Sequence, residues 1–122
     1  MSAANVAPIT KRLSQEQIAR YAGATGDHNP IHVDEAFAKA TPFGGTIAHG
    51  MLVLAAISEM MAGAFGEAWL RHGKLRVRFK SPARPGDTLT ATAQPQSSGG
   101  YAVECRNQRG EVLISGSASV DE

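Results

Sequence analysis

From Ile47 to Gly66 almost every residue is apolar or small, and only His49, Ser58 and Glu59 interrupt the run. A stretch of this length could cross a membrane or lie at the centre of a folded unit; polar groups inside it, one a carboxylate, favour the second. From Ala48 through Met61 the pattern is that of a helix apolar on nearly all sides, and such a helix is expected to be buried nearly all round. The rest of the chain is therefore expected to wrap around it.

The wrapping material follows. From Lys74 the hydrophobic period changes to two: Leu75, Val77 and Phe79 alternate with Lys74, Arg76, Arg78 and Lys80, and Leu89, Ala91 and Ala93 alternate with threonines. Tyr101, Val103 and Cys105 form one face of a third strand, and Val112, Ile114 and Ala118 one face of a fourth. Short connections rich in Pro, Gly and Asn predict antiparallel neighbours in sequence order, a four-stranded meander. Ahead of the apolar helix, residues 1–8 read as a frayed lead-in to a short strand around Ile9 to Leu13. Ser14 with Gln17 then makes a capping box, Ile18, Tyr21 and Ala22 share one helical face, and Gly23 is suited to end that helix. Asp34 to Ala40 reads as two further helical turns, stopped by Pro42. Helices and strands are segregated as in an α+β domain, and 122 residues without an internal repeat suit a single unit over 1–122.

Between the first two helices lies Gly26-Asp27-His28-Asn29-Pro30-Ile31-His32, where acid, amide and imidazole side chains crowd into one turn-forming segment. It reads as a loop, fastened to the core by Ile31, and polar loops on rigid scaffolds are where chemistry concentrates. Asp27 and His32 are the candidates for moving a proton. His28 reads as solvent-facing.

Several classes are disfavoured. A formal net charge of +1 gives no field for nucleic acid or anionic membranes, and aromatic residues are not interleaved with the basic ones. His28 and His32 are four residues apart but in a segment read as a loop, so no helical i, i+4 His pair exists, and no Cys lies near His28, His32 or His49; no metal site is expected. The lone Cys105 reads as a small buried hydrophobe that cannot form an intrachain disulfide. Met1 to Asn5 lack the pattern of a secretion signal, and a cytoplasmic setting is expected.

Residues 21–32, Tyr-Ala-Gly-Ala-Thr-Gly-Asp-His-Asn-Pro-Ile-His, followed by Ala48-His49-Gly50-Met51, resemble the signature of the MaoC-like dehydratases, the R-specific enoyl-CoA hydratases. The likeness runs from about Leu13 to the last strand. It implies the hot-dog fold, a curved antiparallel sheet wrapped around a long central helix, acting as a homodimer or paired with a partner subunit. Carried over residue by residue, it implies Asp27 and His32 as the catalytic pair, Asn29 as a supporting residue, and Gly50 as a backbone N–H donor to the thioester oxygen. His49, Met51 and Arg84 are the expected substrate contacts, although His49 also reads as a packing residue at the helix start.

The reaction so implied is reversible syn addition of water to a trans-2-enoyl-CoA, giving the (R)-3-hydroxyacyl-CoA, with no metal or redox cofactor. The alternatives are the same chemistry on an acyl-carrier-protein thioester, or a non-catalytic acyl-binding subunit of a heterodimer. The basic ladder from Lys74 to Lys80 reads as the solvated face of a strand. Its functional version, with Arg84, would meet coenzyme A phosphates or an acidic carrier protein.

Overall fold

The computed structural model describes residues 5–121, so the first four residues of the expected lead-in lie outside it. Strand β1 (Ile9–Arg12) is followed by helices α1 (Gln15–Thr25), α2 (Pro30–Val33), α3 (Glu35–Lys39), α4 (Gly50–Phe65) and α5 (Glu67–His72). Strands β2 (Gly73–Phe79), β3 (Thr88–Pro95), β4 (Tyr101–Arg106) and β5 (Val112–Val120) complete the chain. They form one antiparallel sheet in the order β1-β3-β4-β5-β2.

That order corrects the expected meander. Strands β3, β4 and β5 do follow one another, but β2 pairs with β5 at the far edge, and β1 takes the place beside β3. The reason lies in the 80–87 connection. Lys80 and Ser81 donate to the Leu113 carbonyl on β5, while Leu13 N–H donates to Asp87 O and Gly86 N–H to Leu13 O. Each end of the connection is thus fixed at an opposite side of the sheet, and it crosses instead of closing a hairpin. Midway, Ala83 O accepts from Ala48 N–H at 2.8 Å, which anchors the entry to α4.

Inside the sheet the alternation holds for Leu89, Ala91 and Ala93 and for Tyr101, Val103 and Cys105, all buried. On β5 it slips. Cys105 pairs with Ile114 and Arg106 with Val112, so Leu113 is an extra residue at a β-bulge, and both Leu113 and Ile114 are buried.

Helix α4 contributes Val53, Ala56, Ile57, Met60 and Met61 to the core. It is not buried all round, as its apolar composition led us to expect. Met51, Ala55 and Glu59 form an exposed stripe, because one sheet covers only one side of it. Helix α5, not anticipated from the sequence, folds back after Gly66 (φ 59°) and sets Trp69 Nε1 to donate to Ser58 Oγ at 2.9 Å. Among the described residues no helix is long and apolar enough to cross a membrane.

Candidate active site

Helix α1 delivers the polar segment. Ser14 Oγ accepts from Gln17 N–H at its start, and the helix continues past Gly23 to Thr25, ending at Gly26 with φ 80°. The left-handed position falls there, and glycine takes it without strain. The segment beyond is not all loop. Asn29 Oδ1 accepts from Ile31 N–H, Pro30 occupies the first helical position, and Pro30–Val33 form a helical turn that carries His32.

Two backbone carbonyls orient the imidazoles. His32 Nδ1 lies 2.8 Å from Ile47 O, an acceptor only, so Nδ1 carries the proton and Nε2 keeps the lone pair in the neutral ring. His49 Nε2 lies 3.0 Å from Asp27 O and donates to it by the same argument. The two rings stack, with centroids 3.8 Å apart and planes at 25°, and the Tyr21 ring packs tilted against His49, with centroids 4.8 Å apart. His49 is buried, and its Nδ1 has no hydrogen-bond partner among the described residues. A buried polar atom left unsatisfied costs about 1–3 kcal/mol.

Asp27 Oδ2 faces His32 Nε2 at 4.0 Å, with the Asp27 side chain half exposed and that of His32 only 12% exposed. This gap is too long for a hydrogen bond and suits one water molecule bonded to both. Asp27 Oδ1 accepts from Asn29 N–H at 3.3 Å, and Asp27 N–H reaches Thr25 Oγ1 at 3.3 Å, which fixes the turn locally. More distant ties hold the segment to the fold. Ile47 N–H donates to Ile31 O, and Gln15 Nε2 donates to His32 O.

Gly50 is the first residue of α4, and its N–H makes no hydrogen bond to the described residues. An unpaired donor at the positive end of a sixteen-residue helix is suited to an oxygen that gains negative charge. Gly50 borders two cavities. One, about 260 Å³, is lined by Tyr21, Thr25, Asp27, His32, His49, Gly50 and Met51. The other, about 290 Å³ and mostly apolar, includes Phe43, Ile47, Val53, Phe79 and Ile114 in its wall. Phe79, expected beside Leu75 and Val77 on the inner face, is 55% exposed, and a Cβ added at Gly50 would lie 3.0 Å from its ring.

Of the residues singled out from the sequence, Asp27, His32, His49, Gly50 and Met51 come together at the first cavity. Asn29 does not line it; its side chain caps α2. Arg84 lines neither cavity at Gly50, and its guanidinium lies by Gly45. His28 is exposed, as expected. Sequence reasoning missed Thr25 and the wall position of Tyr21, which read as a core-facing helix residue, and the Ile47 carbonyl, which no side chain advertises.

Asp27, His32 and His49 each offer a ligand atom within 4.8 Å of the others, the one such cluster among the described residues. The sequence separations gave no hint of it. His32 Nδ1 and His49 Nε2 are already committed to carbonyls, so the uncommitted ligand atoms of the cluster are His32 Nε2, His49 Nδ1 and the Asp27 carboxylate. Away from the site, burial pushes the Cys105 thiol up to about 11, and the exposed Lys74 ammonium is held above its ordinary value by Asp121.

A family model described as the MaoC like domain matches residues 3–115. The chain is 38% identical over 86 residues to an (R)-specific enoyl-CoA hydratase of Rhodospirillum rubrum, a match taking in 70% of this chain and 60% of that protein. It is likewise 38% identical over 85 residues to the 3-hydroxyacyl-thioester dehydratase Z of Mycobacterium tuberculosis, covering 66% of this chain and 56% of that one. The matches thus span less than two thirds of these relatives' lengths. Among solved structures, the unliganded R-hydratase of Pseudomonas aeruginosa superimposes with a TM-score of 0.79 at 28% identity, covering 97% of this chain and 79% of that one. The sheet packed on a central helix is the hot-dog fold of those hydratases.

Proposed function

The chain belongs to the MaoC-like dehydratase family, and on that premise we propose that it adds water reversibly and syn across the double bond of a trans-2-enoyl-CoA, giving the (R)-3-hydroxyacyl-CoA. The observation that carries this reading is the convergence of Asp27, His32 and the free N–H of Gly50 on one cavity of about 260 Å³.

The chemistry follows from the tautomer. A water held between Asp27 Oδ2 and His32 Nε2 has one proton aimed at a lone pair. As its oxygen bonds to C3, that proton passes to Nε2 and the C2=C3 electrons move into the thioester carbonyl. The oxyanion so formed accepts a hydrogen bond from the Gly50 N–H. The imidazolium, faced by the Asp27 carboxylate, returns the proton to C2 from the side on which the oxygen arrived, so the addition is syn. Dehydration runs the same steps backwards. Positioned acid-base groups contribute roughly 10²- to 10⁴-fold in rate, and one oxyanion donor about 10²- to 10³-fold.

The names of the hydratase and dehydratase relatives support an acyl thioester substrate. An acyl-carrier-protein thioester is the alternative, favoured by one observation: Arg76 and Arg78 on edge strand β2, and Lys80 just beyond its end, have no ion-pair partner among the described residues. Self-association belongs to the same reading. The exposed stripe of α4 with Met51, and Phe79 at the end of the edge strand, offer apolar surface to a second copy.

The test is hydration of crotonyl-CoA by the purified chain, followed by loss of enoyl absorbance and by the configuration of the product. Asp27→Asn and His32→Ala are each expected to lower kcat by about 10²- to 10⁴-fold. A folded variant of either kind as fast as the parent removes the pair from the mechanism. If no enoyl thioester is turned over by the parent, the non-catalytic subunit is the better reading.

A further inference from the structure

We propose that His49 is a positioning residue, whose Nε2–H holds the Asp27 turn against the start of α4 and so sets the distance between carboxylate, imidazole and oxyanion donor. The inference deepens the reading above and rests on it.

Three observations point the same way. Asp27 and Gly50 belong to different parts of the chain, and the ties of Ile31 to Ile47 and of His32 to Gln15 hold the far end of the segment, while among the described residues Asp27 itself otherwise bonds its own neighbours, through Thr25 Oγ1 and Asn29 N–H at 3.3 Å each. The His49 to Asp27 bond, at 3.0 Å, is the direct tie from that turn to the residue preceding Gly50. Next, the same ring lies flat on His32 at 3.8 Å, so one side chain touches both members of the pair. Finally, His49 is 3% exposed and its Nδ1 has no partner among the described residues. An apolar aromatic ring would fill that space without leaving a polar atom unsatisfied, so packing alone does not explain an imidazole here. What the imidazole adds is the Nε2–H donor.

This separates His49 from a residue that merely packs. His49→Phe keeps an aromatic face against His32 and Tyr21, removes the donor, and also removes the orphan nitrogen. His49→Gln places an amide N–H near the position of Nε2 and loses the face. A structural role predicts that the phenylalanine variant works and the glutamine variant suffers. A positioning role through the donor predicts the reverse.

The experiment measures crotonyl-CoA hydration, thermal unfolding and amide hydrogen exchange in the parent, both variants and Asp27→Asn. His49→Phe is expected to melt no lower than the parent, to lose about 10- to 100-fold in kcat with KM within about twofold, as misplaced catalytic groups do, and to exchange the amides of Asp27 and Asn29 at least about tenfold faster, as a loosened segment does. His49→Gln is expected to recover kcat to within a few-fold of the parent and to restore the slow exchange. Parent-like kcat and exchange in His49→Phe would overturn the proposal. So would a loss confined to KM, which would make His49 a binding residue, or a loss matched by a fall in melting temperature. Asp27→Asn keeps the two claims apart: if it remains fully active, the catalytic pair is wrong whatever His49 does. Exchange reports on His49 even with no turnover.

Discussion

The corner around Asp27, His32 and His49 and the core beneath the sheet are built on different physics. The core is held by area: Ile57, Met60, Met61, Val103, Cys105 and Leu113 are almost wholly removed from water, and any apolar shape of similar volume would serve. The corner is held by direction. Its imidazoles are aimed by single hydrogen bonds to the carbonyls of Ile47 and Asp27, and the carboxylate they face is half exposed. Stability and proposed activity are therefore separable, since removing apolar volume should damage one and redirecting a donor the other.

The largest effect that sharpens this contrast is expected in the core. Ile57→Ala should lower unfolding free energy by about 2–5 kcal/mol while kcat per folded molecule changes only a few-fold; denaturant titration beside initial rates reads both. A loss of activity with no loss of stability would break the separation.

Next comes a pH effect specific to the core. The Cys105 thiol is raised from its ordinary value of 9.0 to about 11 by burial. The folded chain then keeps a proton that the unfolded chain gives up between those values. The contribution is therefore fully present below pH 9 and is lost as pH rises through 11. It amounts to at most about 2–3 kcal/mol. Cys105→Ala should abolish that part of the alkaline slope in unfolding titrations; an unchanged slope would refute it.

The smallest effect belongs to the corner. Asp27→Asn, which keeps an oxygen for the Asn29 N–H, should change stability by no more than about 0.5 kcal/mol, despite its expected effect on rate. A large shift in melting temperature would mean that Asp27 supports the fold.

Much of the core was legible because its signals are local. The apolar run gave α4, Ser14 and Gln17 gave the start of α1, and period-two alternation gave the inner faces of β3 and β4. The strand order was not legible, since it depends on where Lys80 and Leu13 find partners far along the chain. The bulge at Leu113 escaped because alternation assumes a regular ladder. At the corner, residue types pointed to Asp27, His32 and Gly50, but the stacking of His49 on His32 joins residues separated by α3 and a loop, and no spacing rule carries it. Arg84, singled out for its charge, follows Ala83 in the crossing connection but is not among the residues lining either cavity.

The central claim, that a polar turn and a helix start act on one thioester, is tested most directly at Gly50. It is the first residue of α4, where proline is tolerated, and His49 before it already has an extended conformation (φ −60°, ψ 136°) suited to a following proline. Gly50→Pro removes the N–H and meets Phe79 much as Gly50→Ala does, while alanine keeps the donor. With crotonyl-CoA, the account predicts that the proline variant is slower than the alanine variant by about 10²- to 10³-fold in kcat, with both folded. Equal rates in the two would contradict it.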